Sequence, residues 1–164
     1  MTRVLFVQHS SMIGGGSWCL LEILRRLDRD RIDPVVVLLR PGPLVERIGA
    51  LGIRVEIVPG LTTIPVYDHG GLPASLWRLC RCGAVFPGTY RRFARFCRSL
   101  QPNTVYLNSL SLLALAWPAK ASGVEQVVLH NREHWEPRGF MRIKNPLRSF
   151  LVRRFVDDLL HITR

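Results

Sequence analysis

Two short stretches of this chain carry groups that could do chemistry. The first is Gly14-Gly15-Gly16-Ser17, set between an apolar run at Val4 to Val7 and a stretch with Leu20, Leu21, Leu24 and Leu27 on one stripe. Glycines between a strand and a helix let backbone approach a ligand closely. The first N–H groups of the helix lack an internal partner and attract phosphate or carboxylate. The spacing is not the dinucleotide fingerprint, because Cys19 occupies the third glycine position, and no Gly-Lys-Ser/Thr follows as in a Walker A loop. A flexible turn with Ser17 as helix N-cap accounts for the same residues equally well. The second stretch is His130-Asn131-Arg132-Glu133-His134, which follows the apolar run Gln126 to Leu129. It matches H-x-x-E-H, a pattern that binds zinc when both histidines share one helical face. Here it leaves a strand and runs toward Pro137, with no further acidic ligand apparent, so no metal is assigned. The functional reading is that His130, at a strand end, faces a ligand cleft. A hydrogen-bonded core histidine is the structural alternative.

The elements that must position these groups alternate in type. Apolar runs at 4–7, 35–39, 54–58, 104–107, 126–129 and 158–162 read as strands. Pro34 opens the second. Between the runs lie helical stretches: 17–27, a short helix from Pro43 to Leu51 stopped by Gly52, a helical region after a Pro/Gly/Thr-rich loop at 59–74, an apolar helix at 110–121, and a basic helix at 146–155. The region after the loop is expected to break near Pro87-Gly88, and the 110–121 helix to kink at Pro118. Strand–helix alternation with strands apolar on both faces predicts an α/β fold, a parallel sheet covered by helices on both sides. Ligands of such sheets bind beyond the C-terminal strand ends. The segments His9 to Ser17, Asn108-Ser109 and His130 to His134 all follow strands and should meet along one edge.

The 164 residues suit one domain spanning 1–164, and 48% hydrophobic residues exclude a disordered chain. Net charge is +11, from 23 basic and 12 acidic residues. Only Lys120 and Lys144 are lysines, so the basic side chains are nearly all arginine, suited to bidentate contacts with anions. Segments 75–100 and 138–154 together hold 12 of the 23 basic residues and no acid. The remainder is close to neutral. In the first segment Arg91, Arg95 and Arg98 lie opposite a face of Tyr90, Phe93, Cys97 and Leu100. Arg91, Arg92, Arg95, Arg98, Arg142, Lys144 and Arg148, interleaved with aromatic residues, are candidates for contact with an anionic membrane surface. Nucleic acid is disfavoured, since no nucleic-acid module pattern is present. The four cysteines show no zinc spacing. The run at Val4 reads as a strand rather than a secretory signal, so a reduced, cytosolic setting is expected, with a peripheral place on the inner face of the plasma membrane as a variant.

With these pieces in order, the chain resembles the N-terminal domain of retaining GT-B glycosyltransferases, the large group-1 or family-four-like enzymes. The resemblance rests on Val4-Leu5-Phe6-Val7 followed by Gly14-Gly15 and Leu20-Leu21. It continues through Pro34-Val35-Val36-Val37-Leu38, Gly42-Pro43-Leu44, Leu51-Gly52-Ile53 and Val55. It ends with Pro102 through Asn108-Ser109, Gly123-Val124 and Val127-Val128-Leu129-His130. It covers essentially the whole chain and implies a Rossmann-like domain, the acceptor-side half of a GT-B fold. It implies that Gly14 and Gly15 lie near the donor diphosphate and the acceptor, and that His130 reaches the donor sugar. Gly16, Ser17, Asn108, Ser109, Arg132 and Glu133 are the neighbouring candidates for donor or acceptor contact. Many relatives carry Glu shortly after the glycine pair, where this chain has Gly16-Ser17. The implied reaction is transfer of a sugar from a nucleotide-sugar to a glycan or lipid-linked acceptor with retention, the nucleotide-sugar being a substrate and no cofactor being required. The implied partner is a C-terminal domain binding most of the donor, not contained in these residues, so the chain alone is expected to be inactive. The alternatives are a stand-alone membrane-associated subunit of a split glycosyltransferase and a nucleic-acid-binding Rossmann-like domain.

Overall fold

The computed structural model of the chain describes residues 1–64, 72–132 and 141–161, without the side chains of 72–76, 78, 79 and 141–145. Glu133, His134 and Arg138 lie outside the described residues, as do the side chains of Arg78, Arg142 and Lys144. The elements in chain order are β1 (Thr2–Gln8), α1 (Gly15–Arg25), β2 (Ile32–Leu38), α2 (Pro43–Gly49), β3 (Arg54–Ile57) and α3 (Leu72–Leu100). Then come β4 (Thr104–Leu107), a 3-10 turn (Leu110–Leu115), α4 (Ala116–Lys120), β5 (Gln126–Asn131), α5 (Met141–Phe155) and β6 (Asp158–His161).

All strands pair in parallel in the order β3-β2-β1-β4-β5-β6. The chain winds outward from β1 to β3, crosses back through α3, and winds outward again from β4 to β6. The order therefore reverses between β1 and β4, the place where open α/β sheets bind ligands. Successive strand residues face opposite sides, and both sides are apolar. Phe6, Val36, Leu38 and Tyr106 pack against Leu20, Leu21 and Leu24 of α1 and Leu44 and Ile48 of α2. Leu5, Val7, Val35, Val37, Val105, Leu107, Val127 and Leu129 pack against Phe93, Cys97 and Leu100 of α3, the 3-10 turn and α4. The predicted doubly covered parallel sheet is the observed one.

Three local expectations change. Helix α3 runs through Pro87 without the expected break. A proline in a helix frees the carbonyl four residues earlier. Here that residue is Gly83, which is exposed, so water can take the freed carbonyl. The helix is also pinned from the side: Phe86 stacks on Trp117 of α4, and Tyr90 meets the same ring edge-on. The expected single helix with a kink at Pro118 is instead a 3-10 turn followed by α4 from Ala116, and Pro118 sits in the first turn of α4, which does not need its N–H. Pro34 lies inside β2 rather than opening it, but the ladder to β3 begins only at the next pair, Val35 with Arg54.

Candidate functional site

Val7, Leu107 and Leu129 stand side by side across β1, β4 and β5. The next residue on each strand is Gln8, Asn108 and His130, a polar row at the C-terminal sheet edge. By the two-residue alternation this row continues the Phe6–Tyr106–Val128 face on which α1 packs. Gln8 and Asn108 are each 1% exposed, so their amides must find partners within the protein. They find one another: Asn108 Nδ2 donates to Gln8 Oε1 at 2.7 Å and to the Gly16 carbonyl at 3.2 Å. Gln8 Nε2 donates to Ser17 Oγ at 3.3 Å, and Ser17 Oγ donates to the Met12 carbonyl at 2.7 Å. On the other side Arg132 Nε donates to Asn108 Oδ1 at 2.8 Å. Arg132 Nη2 lies 3.2 Å from His130 Nδ1, and the Tyr106 hydroxyl bonds to the same nitrogen. A continuous run of hydrogen bonds thus joins the glycine loop to His130 across the point where strand order reverses. Burial pushes the Tyr106 phenol up, against the opposing pull of the Arg132 charge and hydrogen bond.

The loop itself is open. Gly14 is the extended residue before α1, and Gly15, Gly16 and Ser17 form its first turn. Ser17 is therefore not the N-cap the sequence offered: it lies inside the helix, and its hydroxyl is committed to Met12 and Gln8. A Cβ added at Gly14 or Gly15 would meet nothing within 4 Å, while one at Gly16 would lie 3.9 Å from the Arg132 Cδ and from Gln8 Nε2. The chain's own packing does not demand glycine at 14 and 15. First-turn N–H groups and the Arg132 guanidinium thus lie close together, a combination suited to an anionic oxygen.

Beside the loop is an open cleft of about 460 Å³ lined by His9, Ser10, Met12, Arg40, Leu61 and Thr63 among others. Its wall is stitched by Ser11, whose carbonyl accepts from Leu44 N at 3.0 Å and whose hydroxyl donates to the Pro41 carbonyl at 3.0 Å. Gly42 is required there, since a Cβ would stand 2.5 Å from Ser11 Oγ and 2.9 Å from its carbonyl oxygen.

The structure brings Gly16, Ser17, Asn108, His130 and Arg132 together, with Gly14 and Gly15 adjoining. It does not bring Ser109 there. That residue is 1% exposed, and its hydroxyl accepts from Ser111 N at 3.1 Å to cap the 3-10 turn. Sequence reasoning missed Gln8, Tyr106 and Arg40. His130 and Asn131 are strand, so His130 does not stand on the helix that the zinc reading of H-x-x-E-H needs, while His134 lies outside the described residues.

Of the basic candidates, Arg91, Arg95 and Arg98 are exposed on α3 as expected, opposite buried Phe93, Cys97 and Leu100. Arg92 is exposed but hydrogen-bonds the Pro59 carbonyl, so part of its role is to hold the loop after β3. Arg148 is a correction: it is 3% exposed. On α5 it shares a face with Leu151, Val152 and Phe155, which pack on the core, and that face turns inward. The outward face carries exposed Leu147 and Phe150 with Arg153 and Arg154.

Comparison with known proteins places this arrangement. The family profile described as Glycosyl transferase 4-like domain matches residues 14–163. Among solved structures, Anabaena Alr3699/HepE in complex with UDP and glucose superposes with a TM-score of 0.67 at 20% identity, over 97% of this chain and 38% of that one. Acinetobacter baumannii MurG gives 0.62 at 12% identity, over 100% and 42%. A glycosyltransferase from Rickettsia africae gives 0.59 at 13%, over 99% and 43%. No curated protein sequence matches the chain. The chain thus spans about two-fifths of the length of these solved relatives, and the likeness is one of fold, the Rossmann-like half of GT-B glycosyltransferases.

Proposed function

Because the chain belongs to the Glycosyl transferase 4-like domain family, we propose that it forms the acceptor-side domain of an enzyme moving a sugar from a nucleotide-sugar to a glycan or lipid-linked acceptor, with retention. The observation that carries this reading is the hydrogen-bonded run from Ser17 through Gln8, Asn108 and Arg132 to His130. It fixes a helix N-terminus, a guanidinium and an imidazole around one edge. In the proposed reaction an acceptor hydroxyl oxygen bonds to the anomeric carbon as the bond from that carbon to the donor diphosphate breaks, the hydroxyl proton leaves with the diphosphate, and negative charge grows on the leaving oxygens. Preorganised donors at that point lower the barrier. The first-turn N–H groups at Gly15 and Gly16 and the Arg132 guanidinium would take that charge, and His130 would hold a sugar oxygen. The cleft lined by His9, Ser10 and Arg40 would receive the acceptor. That HepE has been seen with UDP and glucose supports a nucleotide-sugar as the donor.

A second domain would supply most donor contacts. On that reading residues 1–164 alone bind sugar nucleotide weakly and transfer nothing. The test is a titration of the 15N-labelled chain with UDP-glucose and other sugar nucleotides, read by amide and imidazole shifts. We expect shifts clustered at Gly14 to Ser17, Asn108 and His130, with a midpoint in the high micromolar range or weaker. Shifts scattered elsewhere, or none at millimolar ligand, would remove the reading.

The exposed faces of α3, α4 and α5 favour one further element, attachment to an anionic bilayer. Trp77, Val85, Trp117, Leu147 and Phe150 are exposed large apolar residues there. They are interleaved with exposed Arg81, Arg91, Arg95, Arg98, Arg153 and Arg154. Basic side chains near such a surface contribute about 1 kcal/mol each at low salt, and apolar side chains add interfacial burial. Among the described residues no helix is long and apolar enough to cross a membrane, so the attachment proposed is peripheral. Liposome sedimentation tests it: binding should require anionic lipid, fall with salt, and drop in the Arg91→Ser, Arg95→Ser, Arg98→Ser triple variant. Protein remaining in the supernatant at low salt would exclude it.

A further inference from the structure

We propose that Arg132 is a positioning residue that, with Tyr106, holds His130 in the neutral tautomer protonated on Nε2, so that this nitrogen is a donor and cannot act as a base. This rests on the reading of the site given above and specifies what His130 does there.

A guanidinium has five N–H donors and no acceptor. Arg132 Nη2 lies 3.2 Å from His130 Nδ1, so the nitrogen facing it must offer a lone pair. The Tyr106 hydroxyl reaches the same nitrogen, and a hydroxyl can donate as readily as accept. Both neighbours are therefore satisfied together when Nδ1 is bare. A neutral imidazole carries one proton, which then sits on Nε2. The alternative, a proton on Nδ1, would set an N–H against the guanidinium N–H. The doubly protonated ring would set two cations in contact.

Arg132 is not free to swing away and relieve this. Its Nε donates to Asn108 Oδ1 at 2.8 Å, and Asn108 is held in turn by Gln8 and by the Gly16 carbonyl. The tautomer of His130 is thus set by Arg132, a direct neighbour that Asn108 ties to the glycine loop. Among the described residues the titratable and charged groups near this pair include Tyr106 on β4, Arg132 after β5 and Cys19 on α1, which also acts on Tyr106. Glu133 and His134 follow in sequence, outside the described residues.

The consequence is a restriction on chemistry. With its proton already in place, Nε2 can donate to a hydroxyl or phosphate oxygen. It cannot take a proton from an acceptor hydroxyl. Activation of the acceptor must then come from another group, and His130 contributes binding and orientation.

The test needs no ligand and uses the 15N-labelled chain. Long-range 1H–15N correlations at a pH well above the ordinary imidazole value of about 6.5 report which nitrogen carries the proton. We expect His130 to show a bare Nδ1 and a protonated Nε2. In the Arg132→Met, Tyr106→Phe double variant an Nδ1–H fraction should appear. In Arg132→Met alone the ring should protonate at a higher pH than in the parent, because a like charge has been removed. Should the double variant fail to fold, the wild-type spectrum and the single variants carry the decision. A wild-type Nδ1–H tautomer overturns the proposal, as does a double variant whose tautomer and titration match the wild type. Failure here leaves donor binding standing. Conversely, an intact Nε2–H tautomer with no response to any sugar nucleotide sinks the functional reading and leaves this assignment.

Discussion

Replacing Asn108 by Ala tests the network at its centre. The side chain is 1% exposed and makes three hydrogen bonds: two donated by Nδ2, to Gln8 and Gly16, and one accepted from Arg132. A neutral hydrogen bond of this kind is worth about 1 kcal/mol net, and one to a charged group about 1.5 kcal/mol or more. The substitution also strands Gln8 Oε1, since Gln8 is equally buried, although rotation of the amide can recover part of that loss. The expected cost is about 3–4 kcal/mol, towards the large end for a single substitution. For a chain of this size that corresponds to a fall in Tm of about 10 °C. Thermal or urea unfolding of the purified variant measures it. A double-mutant cycle with Gln8→Ala should show coupling of about 1 kcal/mol or more, because the two amides bond directly. A variant melting within about 2 °C of the parent, or strictly additive double-mutant losses, would refute the reasoning.

Other perturbations follow from the same geometry. Gly42→Ala should cost about 1–3 kcal/mol, because its Cβ would press on the Ser11 side chain and carbonyl. Gly15→Ala should leave stability within about 0.5 kcal/mol of the parent, since its Cβ meets nothing; urea midpoints of both check the contrast. Burial pushes the Cys97 thiol up to about 12. Above the ordinary thiol range the unfolded chain loses this proton while the folded one keeps it, so stability should fall as pH rises from about 9 towards 12, and Cys97→Ala should flatten that part of the urea-midpoint profile. Exposed Cys19 and Cys80 should react with a thiol reagent at pH 8 while Cys97 does not until the protein unfolds. Burial acts to raise the Asp157 carboxyl, but hydrogen bonds from Lys120 and the Val127 N–H outweigh it and hold it low. Its contribution is therefore present above the unfolded carboxylate value and lost as pH falls through the lowered one, and Asp157→Asn should show a shallower acid limb in the unfolding midpoint.

Much of this architecture could be read from residue order alone, because the strands are short apolar runs separated by helical stripes. The run Thr104 to Leu107 matches β4 end to end. What escaped was pairing between distant residues. Gln8 closes an apolar strand, and local pattern makes it no more than a polar strand end. Its partner Asn108 is a hundred positions away, and nothing in local spacing links them. The signal was present in a weaker form: aligning the strand ends puts Gln8, Asn108 and His130 in one row, and a row of polar residues at a switch point invites a network. Arg148 was misplaced for a different reason. Counting charge along α5 puts every arginine outside, whereas stepping by three and four from Arg148 leads to Leu151, Val152 and Phe155, which are the inner face. The expected break at Pro87 failed because the freed carbonyl belongs to an exposed glycine and because Trp117 clamps the helix from α4, a tertiary contact that local rules do not contain.

The central place of β1 also bears on how the molecule comes into being. Its seven residues leave the ribosome before its partners do, and β2 can cover one side once about thirty more have emerged. The other side, facing β4, has to wait for residues 104–107. Until then Val4 to Val7 present an unsatisfied strand edge to whatever is nearby, the kind of edge that nucleates aggregation. Non-local pairing of this sort is slow, since a long loop must close before any contact rewards it. During that interval the nascent chain should be most in need of a chaperone. Slowing translation beyond residue 107 should then do little harm to yield, while a pause before it should divert chains into inclusion bodies.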